Sequence, residues 1–305
     1  MPSYKLLHNR FTWINIVHPA PADIDLLRRE FPYIHPLNLE DVLSQTERPK
    51  IDEDDDYLFV VLQFPLWDRV NRISRASEVD FIVGRNFLVT VHDGQLSPMV
   101  HLFDKCQRSP AEREKLMGRG ANDAFYVIVD QLVDYIFPIL SKVDANIRAI
   151  EENIFTMYTQ RIVSDIAVVR RDIIALRRII RHLVPILEQL ESTEHPIIRE
   201  ELEEYFGDTV DHIYRARDII DEDAEVIAGL AETANTLVSH RINEVMRILT
   251  VISVIILPLT LVTGVYGMNV KLPLDEHPLA FIVVMGMMLM ISILMIIYFI
   301  RRKWI

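Results

Sequence analysis

The chain has one cysteine, Cys106, so no disulfide can form within it, which fits a protein folded in a reducing compartment. It has no GxxxxGK phosphate loop ending in Ser or Thr, no HExxH pair and no GxSxG elbow. The common nucleotide-hydrolysing, zinc-protease and serine-hydrolase chemistries therefore lack their residues, and an enzyme is not expected. Basic residues are in deficit. Lys and Arg number 32 against 44 Asp and Glu, a formal net charge of −12, which argues against nucleic acid as a partner. The first residues contain no long apolar core before a small-residue cleavage site, so no signal peptide is expected. Charge is missing altogether from two long stretches near the end, Ile248 to Asn269 and Leu279 to Ile300.

Those two stretches organise the rest. Each holds about 20 residues, and at roughly 1.5 Å per helical residue such a length crosses a hydrocarbon core of about 30 Å. In lipid the backbone must satisfy its own hydrogen bonds, so both are predicted helices, joined by a short loop at 270–278 into a transmembrane hairpin. Arg241 and Arg247 precede the first span, and Arg301, Arg302 and Lys303 follow the second; the loop holds only Lys271, Asp275 and Glu276. The basic flanks place both termini in the cytosol and the loop outside, with Tyr298 and Trp304 as interfacial anchors. From residue 241 on, six Lys and Arg stand against three Asp and Glu, so residues 1–240 carry −15 of the total charge. Such a domain is either simply acidic and soluble or one that concentrates and senses divalent cations.

Residues 1 to about 110 read as a small α/β domain. Strands are expected at Trp13–Ile16, Tyr57–Leu66, Glu78–Val83 and Asn86–Val91, the last two joined by a tight hairpin at Gly84-Arg85. Helices are expected at Ala22–Phe31, with Asp23 or Asp25 in its first turn, and at Pro36–Ser44. The acid run Asp52–Asp56 is placed in the loop before a strand, either solvated or binding a hard cation. Beyond it the apolar spacing turns helical. One helix is expected from a cap at Asn122 or Asp123 through Met157, kinked at Pro138, and a second over Ile162–Leu190. The second carries Arg170, Arg171, Arg177, Arg178 and Arg181 without interleaved aromatics, which points to an ion-pair surface against the acidic third helix. That third helix begins near Pro196 and meets no proline until Pro258, so stalk and first span read as one rod of about 70 residues, roughly 100 Å long.

Two spans per subunit enclose little, so a transport role needs an oligomer. Asn243, Thr250, Ser253, Thr260 and Gly264 make a small and polar stripe on the first span, with Met246, Leu249 and Leu257 close by and Gly267-Met268-Asn269 at its outer end. The hydroxyls and glycines serve either helix packing or a pathway. Amide oxygens of Asn269 around an axis could accept hydrogen bonds from the water shell of Mg²⁺, an ion that dehydrates reluctantly, and apolar rings below could gate by dewetting.

Tyr266-Gly267-Met268-Asn269 at the end of the first of two C-terminal spans resembles the signature of the CorA family of divalent-cation channels. Asn243-Glu244-Val245-Met246, Pro258-Leu259-Thr260 and Arg301-Arg302-Lys303-Trp304 extend the resemblance. So do Trp13-Ile14-Asn15, His35-Pro36-Leu37 with Glu40-Asp41, and Arg48-Pro49-Lys50, so that it spans nearly the whole chain. The resemblance implies an α+β cytosolic domain with a mixed sheet, joined through a long stalk helix to the hairpin in a funnel-shaped homopentamer of the plasma (inner) membrane. The corresponding divisions are 1–120 and 121–195 for the cytosolic α/β part and its antiparallel helical pair, then 196–247 for the stalk. The pore-lining span is 248–269, the outer loop 270–278, the lipid-facing span 279–300 and the basic tail 301–305. Passive passage of Mg²⁺, with Co²⁺ and Ni²⁺ accepted, is the implied activity. Gly267, Met268 and Asn269 would form the filter; Asn243, Met246, Leu249, Leu257, Thr260 and Gly264 would line the pore and gate. Leu257 stands where methionine is common and keeps the apolar character. Regulatory Mg²⁺ between neighbouring subunits would engage Glu40, Asp41, Asp130, Asp208, Asp211 and His212. The short outer loop lacks the MPEL stretch common after the triplet and is closer in length to the ZntB branch. A Zn²⁺ transporter, with or without proton coupling, is therefore one alternative. A non-conducting membrane-anchored sensor or scaffold is the other.

Overall fold

A computed structural model describes residues 4–44, 48–155, 159–193, 195–198, 201–269 and 279–304. The chain divides into two compact units, Met1–Ala231 and Glu232–Ile305.

The first unit is built on a six-stranded mixed sheet of β1 (Tyr4–His8), β2 (Phe11–Val17), β3 (Lys50–Asp54), β4 (Tyr57–Asp68), β5 (Ile73–Gly84) and β6 (Phe87–His92), in the spatial order β1-β2-β6-β5-β4-β3. β2 and β6 pair in parallel, with Trp13 opposite Leu88 and Asn15 opposite Thr90; every other neighbour is antiparallel. Strand side chains alternate between faces. Ile14, Ile16, Tyr57, Phe59, Val61, Ile82, Val89 and Val91 share one core with Ile24, Leu27, Leu39 and Val42 of α1 (Pro21–Glu30) and α2 (Pro36–Ser44). The opposite face meets α3 (Ser97–Arg108) and α5 (Ala121–Asp134), where Trp13 packs edge-on to Phe103 and Phe81 to Phe125. Between α3 and α5 lies the short α4 (Pro110–Met117). With both faces covered, β6 is buried along its whole length and β4 along most of it, which is why their sequences run apolar instead of alternating.

The parallel pair is tied by a buried polar chain. The Trp13 indole N–H donates to Thr90 Oγ1 at 3.0 Å, the Thr90 hydroxyl donates to Asn15 Oδ1 at 2.7 Å, and His92 Nε2 lies 3.1 Å from that same oxygen. Gly94 N–H donates to His92 Nδ1, which therefore accepts, so the ring is neutral with its proton on Nε2. Burial holds the His92 imidazole down at about 4, consistent with that state.

Several expectations need correction. The acid run is not a loop before a strand: Asp52 to Asp54 belong to edge strand β3, with Ile51 opposite Val60, and only Asp55 and Asp56 form the turn into β4. The helix expected from Asn122 to Met157 is two helices. α5 is capped by Gly120, whose φ of 112° suits a residue without Cβ, and Asn122 instead sends its side-chain amide back to the Ile197 carbonyl. α5 gives way at Tyr135 to α6 (Ile136–Asn153), where Pro138 has no N–H to offer the Asp134 carbonyl. α7 (Thr159–Ser192) runs as expected with slightly wider limits. α8 (Leu202–Tyr266) begins at Leu202, not near Pro196; ahead of it His195 bonds the Asp54 carbonyl. α7 and α8 lie antiparallel, linked by Arg177 to Asp221 at 2.7 Å and by Tyr214 to Glu188. The ion-pair surface is thus present at Arg177, whereas Arg171 donates to the Asn71 carbonyl.

In the second unit, the distal part of α8 and α9 (Ala280–Arg301) are largely exposed; Ala234, Val251 and Phe299 are the buried apolar exceptions among the described residues. Among the described residues, three helical stretches are long and apolar enough to cross a membrane, including Ala121–Asn153. Half of that stretch's most apolar window is buried in the first unit's core, against 6% for α8 and none for α9, so only the last two present apolar surface to a bilayer.

Candidate functional site

At about 100° per residue, Asn243, Met246, Leu249, Leu257, Thr260 and Gly264 fall within an arc of roughly 120° on α8. Met246, Leu249 and Leu257 are more than half exposed along it. The hydroxyls in and beside this arc satisfy themselves: Thr250 donates to the Met246 carbonyl, Ser253 to that of Leu249 and Thr260 to that of Ile256, at 2.8 to 3.0 Å. Bonded back in this way they present a smooth, uncharged face. Leu257, Thr260 and Gly264 share one shallow cleft of about 740 Å³ with Ser253 and Met268. Asn243 lies on a more polar hollow with Glu232, Thr236, Ser239 and His240, none of which was anticipated.

The C-terminal end of α8 is where the helix stops. Gly267 N–H still reaches the Thr263 carbonyl at 2.9 Å, but Met268 N–H bonds Val265 in a tighter turn. A Cβ on Gly267 would stand 3.0 Å from the Thr263 carbonyl oxygen, so the triplet begins with the residue that fits this approach. Had the α-helix continued, Asn269 would sit about 140° from Gly264's position, well outside the arc. Ending the helix at Tyr266 releases the exposed Asn269 from that track. The loop that follows, 270–278, lies outside the described residues, and with it Lys271, Asp275 and Glu276.

The six acidic and histidine candidates separate into two places. Asp130, Asp208 and His212 come together around Tyr126 and Thr209. Burial first, then Asp134, raise the Asp130 carboxyl; His212 opposes and Asp208 adds to the rise. The Thr209 hydroxyl lies 3.5 Å from Asp130 Oδ1, and His212 Nδ1 stands 3.3 Å from Asp134 Oδ1. Burial, with Asp130 and Asp208 adding to it, pushes the Tyr126 phenol up to about 12. Asp134 and Tyr126 were missed, although the four-residue spacing of Tyr126, Asp130 and Asp134 puts them on one side of α5. Asp211 is exposed on α8.

Glu40 and Asp41 lie apart on α2. Lys50 clasps Asp41 at 2.6 Å and Asp52 at 2.8 Å. Burial pulls the Lys50 ammonium down, but hydrogen bonds to the two carboxylates outweigh it and leave its pKa raised. No hydrogen bond or ion pair among the described residues joins this pair to the Asp130 group. Nor do three or more His, Cys, Asp or Glu side chains converge as a metal site among those residues. The donors are hard oxygens suited to Mg²⁺, but one chain alone does not complete a site.

Comparison with known proteins gives a consistent result. A family model described as CorA-like Mg²⁺ transporter protein matches residues 8–302. The cobalt/magnesium transport protein CorA of Thermotoga maritima is 31% identical over 295 residues, covering 96% of this chain and 83% of that protein. The putative metal ion transporter YfjQ of Bacillus subtilis is 30% identical, over 96% of this chain and 89% of the relative. The complete structure of the CorA magnesium transporter from Methanocaldococcus jannaschii superposes with a TM-score of 0.85 at 22% identity, covering all of this chain and 95% of that one.

Proposed function

The chain belongs to the CorA-like Mg²⁺ transporter family, and from that we propose that it is a passive channel admitting Mg²⁺, and also Co²⁺ and Ni²⁺, across the plasma (inner) membrane. The family is one of membrane transporters, not enzymes. Five copies would set their α8 helices around an axis, with both termini in the cytosol and α9 toward lipid. The observation that carries this reading is the uncharged arc of α8 ending in a turn that sets Asn269 free. A ring of five carboxamides can accept hydrogen bonds from a hydrated cation, which then need not be stripped of water. Below it, Leu257, Leu249 and Met246 supply the apolar constriction, and Asn243 a polar one.

Gating would follow from cation binding between first units of neighbouring subunits. The carboxylates of Asp130, Asp134 and Asp208 crowd together with the His212 imidazole beside Asp134, and a neighbour's Glu40 and Asp41 would complete an oxygen-rich site. Lys50 already occupies Asp41, so Mg²⁺ would have to displace it. Loss of the ion restores repulsion and biases the subunits apart. Replacing both Asp41 and Asp208 by alanine is therefore expected to raise the internal Mg²⁺ needed for half-inhibition of current about tenfold, a shift near 1.4 kcal/mol. Unchanged inhibition would remove both residues from regulation.

Competitive uptake into proteoliposomes tests the transport reading. Mg²⁺ influx that Co²⁺ competes with, and that needs no ATP or pH gradient, is the expected result. Zn²⁺ uptake that follows a pH gradient, with none for Mg²⁺, would instead establish the ZntB-like alternative. No flux from folded, oligomeric protein would leave a sensor or scaffold.

A further inference from the structure

We propose that Asp223 is a proton-binding site through which acidification tightens the packing of α8 against α6 and α7. Asp223 occupies a core position. On α8 it belongs to the buried series Ala216, Ile220, Asp223, Ile227, whose three- and four-residue spacing marks the face turned into the first unit. It is 7% exposed, and its Oδ2 is buried without a hydrogen-bond partner. An ionised carboxylate held this way is costly, so such groups acquire a cation, a donor or a proton.

The neighbouring charges leave only the proton. On α6 the carboxylate acting on Asp223 is Asp144, which is itself engaged by Arg148 one turn on, at 2.9 Å. On α7, Arg177 lies close to this level of α8 but is committed to Asp221, and Asp172 accepts the Ser74 backbone N–H. On α8 itself the preceding Glu222 adds a second negative charge. No trio of metal-binding side chains forms among the described residues. Burial, with Asp144 and Glu222 adding to it, pushes the Asp223 carboxyl up to about 6.

The sign follows from linkage. Below the ordinary carboxyl value of 3.8, folded and unfolded chains both hold the proton, and the site costs nothing. As pH rises from 3.8 to about 6 the unfolded chain releases the proton first, and stability falls; above about 6 the loss is complete and constant. Lowering the pH toward 6 from above reloads Asp223 and relieves the buried charge between the helices.

The test is unfolding of the full chain in detergent, with a chelator present, for wild type and Asp223→Asn between about pH 4 and 7.5. The unfolding equilibrium constant of wild type relative to the variant should rise about 100-fold between pH 3.8 and 6 and then level off, a tenfold change for each of about two pH units. A pH-independent ratio would overturn the proposal. Should Asp223→Asn fail to fold, Asp144→Asn serves: removing the facing carboxylate should shrink the pH-dependent loss and move its upper end below 6, and an unmoved profile would count against the site. A ratio set by added Mg²⁺ at constant pH, and not by pH, would make Asp223 a cation ligand and also overturn it.

Discussion

Replacing Asn269 by alanine is expected to reduce Mg²⁺ uptake into proteoliposomes by ten- to a hundredfold while the protein still assembles. The side chain is exposed, and the bonds that end the helix come from Gly267 and Met268 backbone, not from the Asn269 amide, so folding should survive. What is lost is a set of acceptors for the water molecules around the ion. Hydrogen bonds to a charged partner contribute about 1.5–3 kcal/mol each, so losing even one such bond accounts for a factor of about 10 to 100. Radiotracer or fluorescent-indicator uptake at constant membrane voltage measures the change. Full Mg²⁺ flux in the variant would remove Asn269 from the selective step.

Replacing Leu257 by serine is expected to have the opposite effect, a leak. Leu257 is 74% exposed on α8, one residue before Pro258, and packs against nothing that folding of the single chain requires. If five such side chains narrow the axis, the barrier to an ion is the cost of wetting them. Exchanging one buried leucine for a small hydroxyl forfeits about 1.5–3 kcal/mol of apolar burial, and the change is multiplied around a ring. Current that persists at internal Mg²⁺ concentrations which close the wild type is the expected reading. Normal closure in the serine variant would place the gate elsewhere.

Much of the architecture was readable because the signals are strong where the environment is uniform. The strands Tyr57–Leu66 and Asn86–Val91 are buried along most of their length, and the stretch from Ile248 to Asn269 holds no charge, so composition alone betrays them. β3 was missed for the converse reason. As an edge strand it is held by backbone hydrogen bonds to β4, and its outward acids carry no alternation, while they discourage pairing with another chain. The break at Tyr135 hides because Leu132, Val133, Ile136 and Ile139 stay buried across it and the apolar period never lapses. Pro138 was the only mark.

The candidate site was legible in kind, less so in arrangement. Helical spacing alone put Leu257, Thr260 and Gly264 on one face. By contrast Asp130 and His212 are 82 positions apart in sequence, and only the crossing of α5 and α8 brings them together around Tyr126. Asp223 was overlooked because it stands in the acidic run Asp221-Glu222-Asp223, which reads as solvated helix surface until burial shows that this one carboxylate lies inside.

The most direct test of the account asks which face of α8 meets the ion. In a Cys106→Ser background the chain has no other cysteine, so a single thiol can be placed at Gly264, at the centre of the arc, or at Val262, about 160° away. A charged thiol-reactive reagent should block Mg²⁺ uptake through Gly264→Cys and leave Val262→Cys conducting. Block at Val262→Cys with Gly264→Cys untouched would contradict the pathway described here.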